Sequence, residues 1–165
     1  MVVRSGTSVK AVITRVLLVF VMAVAGIVVG GQVSAQAACS GAGCTGLDPQ
    51  AQGCASGATD LGGTYYLEQP SQRYSMVVRT SGTCSARWAR MIIDVNPCCF
   101  ARELAVETQR LVGSTWVALD FRTLTIGAGQ VGTFWTNMVA NRSDDRVRVC
   151  NQIGTTGWVC GGWAS

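Results

Sequence analysis

From Thr64 onward, hydrophobic and polar residues change places over short runs broken by glycine, proline and asparagine, a period of two that belongs to strands. Thr64–Glu68 and Tyr74–Arg79 flank Gln69-Pro70-Ser71-Gln72, and Ala86–Asp94 is closed by Asn96-Pro97. Arg102–Leu111 and Thr115–Thr125 flank Val112-Gly113-Ser114, which predicts a hairpin. Thr133–Ala140 and Arg146–Asn151 surround a polar loop, residues 141–145, and Thr156–Cys160 reads as a last short strand. The clearest alternation lies in Thr115–Thr125, where Val117, Leu119 and Phe121 point one way and Ala118, Asp120 and Arg122 the other. About seven or eight such strands predict an all-β fold, a small sandwich or barrel. One competing element stands beside them: Cys98–Gln109 contains good helix formers and also fits a short helix.

Residues 38–63 lack any period. Gly, Ala, Ser, Thr and Cys dominate, with a turn at Asp48-Pro49, so this reads as an irregular Cys- and Gly-rich segment held by cross-links. Before it, Met1–Arg15 carries Arg4, Lys10 and Arg15 with no acid, Val16–Val29 is an unbroken apolar and glycine run, and Ala35-Gln36-Ala37 supplies an A-x-A site. That order predicts a secretory signal over residues 1–37, cleaved after Ala37, with Ala35 and Ala37 read by the peptidase. The alternatives are a retained anchor, for which the run is shorter than the ~20 residues a bilayer needs, and a lipoprotein lipidated at Cys39. The expectation is one mature domain, residues 38–165, that is secreted and has no stable membrane insertion after cleavage.

Composition narrows the chemistry. The chain has 13 Lys+Arg, 9 Asp+Glu and no His, so neither a His-based nucleophile pair nor a His-ligated metal can form. The three N-terminal cations account for most of the net charge of +4. Residues 38–165 are nearly balanced, with arginine as their only cation type, and no basic footprint for nucleic acid remains. All eight cysteines, Cys39, Cys44, Cys54, Cys84, Cys98, Cys99, Cys150 and Cys160, fall after the signal. An even count in an exported chain predicts a disulfide framework; their spacings lack the paired short steps of a four-thiolate zinc site. Cys150–Cys160 is the natural local pair. Of Cys39, Cys44 and Cys54 at least one must reach outward, with Cys84 the first target. Cys98 and Cys99 are adjacent, so each is expected to bond elsewhere, a vicinal bridge being the alternative. No free thiol is expected.

Several motifs have plainer readings. Gly41-Ala42-Gly43-Cys44-Thr45-Gly46 spells the dinucleotide fingerprint, but no strand precedes it and no helix follows. Asn141-Arg142-Ser143 matches a glycosylation acceptor pattern that recurs by chance. Among the carboxylates, Asp48 and Asp120 are the first to test as an acid–base pair for glycoside hydrolysis, against the structural reading. The five Trp (88, 116, 135, 158, 163) with Tyr65, Tyr66 and Tyr74 can stack on sugar rings or fill the core, and the core reading is preferred. Arg87, Arg90, Arg146 and Arg148 read as polar strand faces, or more sharply as contacts to an anionic surface polymer.

Two segments carry a resemblance. Cys39–Thr59 (CSGAGCTGLDPQAQGCASGAT) and Val77–Met91 (VVRTSGTCSARWARM) resemble the YjfA-like family, small exported proteins of Gram-positive bacteria classed as a domain of unknown function. Cys39, Gly41, Cys44, Gly46, Asp48, Pro49, Gly53 and Cys54 match its opening motif; Arg79, Ser81, Cys84, Trp88, Ala89 and Arg90 match its second. Met138-Val139 and Cys150 resemble its closing strands. Thr80 stands where the family has Tyr, and Cys98-Cys99 is an extra pair. The resemblance implies export and a domain of this kind, with no activity, cofactor or catalytic residue attached.

The sequence therefore points to a secreted, disulfide-stabilised, non-enzymatic module, with no cofactor and no metal, acting by binding or structure at or outside the cell envelope. Its expected partner is an envelope polymer or an extracellular protein. The competing readings are a small carbohydrate-active enzyme using carboxylates and a secreted inhibitor.

Overall fold

A computed structural model describes residues 37–96 and 99–165. The candidate signal with Ala35, and Cys98 with its predicted bonding, lie outside the described residues. Within them, the period-two runs form two antiparallel sheets. In the first, β1 (Thr59–Gln69), β2 (Gln72–Ser81) and β3 (Ala86–Val95) lie side by side, and β6 (Gly132–Trp135) and β7 (Val139–Ala140) both pair with β3. The second runs β5 (Thr115–Ile126), β4 (Arg102–Val112), β8 (Asp145–Ile153), β9 (Val159–Cys160).

The core follows from alternation. Tyr74, Met76 and Val78 of β2, Ala89, Met91 and Ile93 of β3, Leu104 and Val106 of β4, and Val147 and Val149 of β8 cluster between the sheets with Ile126 and Val139. Their partners in the chain alternate outward, the pattern of a sandwich. Each Val, Leu, Ile or Met among them, fully buried, contributes about 1.5–3 kcal/mol. A second cluster forms on the opposite face of the first sheet, where Cys44, Cys54 and Cys84 pack with Ala86, Trp88 and Met138. The irregular N-terminal segment is thus a lid over Trp88.

Among the described residues, Cys39–Cys44 and Cys54–Cys84 hold this lid, and Cys150–Cys160 bridges the second sheet. The outward link to Cys84 and the local Cys150–Cys160 pair are as the spacing implied. The latter joins directly opposed residues of β8 and β9. The G-x-G-x-x-G letters fall on a single 3-10 turn, Gly41–Cys44, rather than between a strand and a long helix. Gly41 and Gly46 adopt φ of 54° and 81°, which a side chain would strain. Their N–H groups donate to the carbonyls of Cys84 and Met138. These glycines serve the clasp, and no pyrophosphate cradle exists there.

Three sequence expectations change. The helical alternative for Cys98–Gln109 gives way to β4, because this segment pairs on both sides, with β5 and with β8, and two ladders override helix propensity. The run Thr133–Ala140 is two strands, broken where Thr136 turns its hydroxyl to accept from the Ala89 N–H at 3.1 Å. On β5 the alternation fails at Leu119. A register shift opposite Thr108 and Gln109 pairs Asp120 with Thr108 but Ala118 with Gln109. Val117 and Phe121 therefore occupy opposite faces, and Val117, Leu119 and Phe121 are all exposed, at 44%, 46% and 45%. They are not core.

Candidate functional site

The outer face of the second sheet is built by the side chains that the core does not take. Pairing aligns Glu107 with Arg148 and Phe121, Gln109 with Arg146 and Ala118, and Leu111 with Trp116. An isolated bridge between Val147 and Ala164 draws the C-terminal segment along β8, which brings Trp163 over the same face. The Arg146 guanidinium lies 4.0 Å from the Trp116 ring centre and 4.3 Å from that of Trp163. Arg148 also sits 4.3 Å from the Trp163 ring. Arg146 donates to Gln109 Oε1 at 2.6 Å, and Arg148 to Glu107 Oε2 at 2.7 Å. Each cation is thus held between rings and an oxygen acceptor, an arrangement worth about 0.5–1 kcal/mol per contact at an exposed site.

Beside this ladder lies a cleft of about 470 Å³ lined by Glu107, Leu119, Phe121, Arg148, Trp158 and the Cys150–Cys160 bridge, with Ala118 and Asp120. Phe121 and Trp158 meet edge to face, with centres 5.2 Å apart, and Trp158 remains 38% exposed. The bridge fixes β9, and Trp158 immediately precedes that strand. Aromatic rings, a carboxylate and a guanidinium converge on one concave surface, which is the usual make-up of a ligand site.

The tryptophans divide. Trp88 is core, and Trp135 is half-buried and donates from Nε1 to Asp48 Oδ2 at 2.9 Å. Trp116, Trp158 and Trp163 face outward on the second sheet, so for these three the core preference is corrected. Period-two alternation identifies a face without saying whether another layer covers it. Among the tyrosines, Tyr74 is buried beneath the Arg102 guanidinium at 4.6 Å, and Tyr66 is exposed.

Asp48 and Asp120, the two carboxylates first to test as a pair, line different clefts. Asp48 lines a separate cleft with Trp135 and Phe134. Its Oδ1 accepts from Gln50 and Ala51 N–H groups. Burial pushes the Asp48 carboxyl up, but the donors from Ala51, Trp135 and Gln50 outweigh it and hold it below the usual carboxylate value. Asp120 pairs with Arg122 at 2.8 Å. Asp145, buried, is gripped by Arg110 at 2.7 Å and 3.1 Å.

Residues of the family-like motifs are structural here. Arg79 contacts Asp60 and the Ala58 carbonyl, and Arg90 reaches the same Asp60 at 3.3 Å. Pro49 and Gly53 lie in the turn that brings Cys54 to Cys84. Arg87 is no surface cation: it is buried, donates to the Asp145 carbonyl, and its pKa is pushed down by that burial. Alternation puts Leu119 and Phe121 on one face of a strand and does not mark either as a site residue. Among the described residues, no helix is long and apolar enough to cross a membrane. Comparison with family models, curated proteins and solved structures finds no match.

Proposed function

We propose that the chain is an exported, disulfide-stabilised binding module of the YjfA-like kind that takes a carbohydrate chain of the cell envelope on the outer face of its second sheet. The observation that carries this is the Phe121–Trp158 cleft beside the Trp116–Arg146–Trp163 ladder. Ring faces suit the C–H faces of sugars, and the neighbouring amide, carboxylate and guanidinium offer hydrogen bonds to hydroxyl groups. Glu107 and Arg148 neutralise each other, as do Asp120 and Arg122. Arg146, held by the uncharged Gln109 amide, keeps one positive charge on this face beside the neutralised Glu107–Arg148 pair. Three disulfides fit an oxidising compartment.

The enzymatic alternative has one observation in its favour: Glu107 and Asp120 line the same cleft. Both are already engaged by arginines. Sedimentation with insoluble glycans and peptidoglycan tests the proposal. Retention that falls about tenfold in Trp158→Ala, on the order of 1.4 kcal/mol, supports it. Polysaccharide turnover abolished by Asp120→Asn would establish the enzyme instead, and capture of one extracellular protein in place of any glycan would establish the inhibitor.

A further inference from the structure

The second sheet ends in β5, whose outer edge pairs with no strand among the described residues. β5 spans 12 residues and pairs with β4 alone. Both outer strands bulge, β1 between Leu61 and Tyr65 and β5 at Leu119, but β5 keeps an unbroken ladder with β4 from Asp120 to Ile126. β5 contains no glycine, proline or lysine, and Trp116, Val117, Leu119 and Phe121 are each 39% to 46% exposed. A long apolar edge of this kind invites another strand.

Its charge pattern says which strand. The sequence Asp120-Phe121-Arg122 is self-complementary when read against itself in the antiparallel sense. The intrachain pair at 2.8 Å holds Asp120 and Arg122 on one face, and Phe121 lies on the other. A two-fold axis normal to the sheet keeps like faces together, so residues of equal parity oppose each other. With the axis through Phe121, Asp120 of each copy faces Arg122 of the other, and Phe121 faces Phe121. Moving the axis to Asp120 sets two carboxylates opposite each other, and moving it to Arg122 sets two guanidiniums so. Directly opposed like charges destabilise a ladder, while opposite charges stabilise it.

We propose that β5 is the seam of a symmetric homodimer, in which two copies join β5 to β5 antiparallel with Phe121 on the axis, extending the second sheet across both chains. This goes beyond the glycan reading and does not depend on it.

Sedimentation velocity on the purified protein over roughly 1–100 μM reads the assembly directly. Twice the chain mass is expected for the parent. Asp120→Arg places arginine opposite Arg122 twice and should weaken association at least tenfold, whereas Asp120→Arg combined with Arg122→Asp restores opposite charges and should restore the dimer. Phe121→Asp sets two carboxylates on the axis without disturbing the Asp120–Arg122 pair, so it tests the seam even if the single charge reversal misfolds. Far-UV circular dichroism identifies a folded monomer. A parent that stays monomeric throughout overturns the proposal. So does a dimer that survives both Asp120→Arg and Phe121→Asp, or a folded double reversal that fails to re-associate.

Discussion

The indole Nε1 of Trp135 donates to Oδ2 of Asp48 at 2.9 Å, linking residues 87 apart in the chain. Asp48 also holds the turn at Pro49 through its other oxygen, so one carboxylate joins the irregular lid to β6. Asp48→Ala removes both and leaves the Trp135 N–H without this acceptor. The expected loss is about 1–2 kcal/mol, measured by denaturant unfolding, with no effect on glycan retention.

The same carboxylate predicts a pH dependence. Its folded pKa is lowered, so its contribution is fully present above the unfolded value and disappears as pH falls through the folded one. Asp48→Asn keeps an oxygen acceptor but loses the charge. The melting temperatures of parent and variant should therefore differ at neutral pH and converge as the pH falls through the lowered value of Asp48. A gap that persists in acid would remove the charge from the explanation.

The three bridges should differ in weight because they close loops of different size. Sequence separations are 30 for Cys54–Cys84, 10 for Cys150–Cys160 and 5 for Cys39–Cys44. On the chain-entropy account these contribute roughly 4, 3 and 2 kcal/mol. Paired serine variants of each bridge, unfolded in urea, should rank in that order. Only loss of Cys150–Cys160 should also loosen Trp158, visible as a change in its fluorescence.

Much of the fold is legible from the residues, and the misses share one physical cause. The strands, the turn at Gly113, the Cys150–Cys160 pair and the reach to Cys84 follow from local pattern and loop length. Alternation is a one-dimensional signal: it separates faces, but the bulge at Leu119 reverses its phase partway along β5. It is also blind to what covers a face. Trp88 and Trp158 look alike in sequence, yet the cysteine-rich lid covers the first and leaves the second open. Arg87 and Arg148 differ in the same way, one sealed above Asp145 and the other paired to Glu107 at the surface. The split of β6 from β7 depends on Thr136 replacing a backbone acceptor, which no periodicity encodes.

Asp145 offers the sharpest separation of stability from binding. It is 2% exposed; both of its carboxylate oxygens accept from Arg110, and its carbonyl accepts from the buried Arg87. Asp145→Asn keeps the shape and removes the charge that balances Arg110, while the Arg87 contact, made to the backbone, survives. Breaking a buried pair on one side costs about 3 kcal/mol, and the Arg110 side chain is 27% exposed, so water offsets part of that. A loss of about 2–3 kcal/mol in urea unfolding is expected. Arg110→Met should cost more than Asp145→Asn, because it leaves the carboxylate itself uncompensated. The double variant should then recover part of the loss, since no unpaired charge remains. Strict additivity of the two single changes would show that the pair carries no coupling, and the account of Asp145 would fall with it.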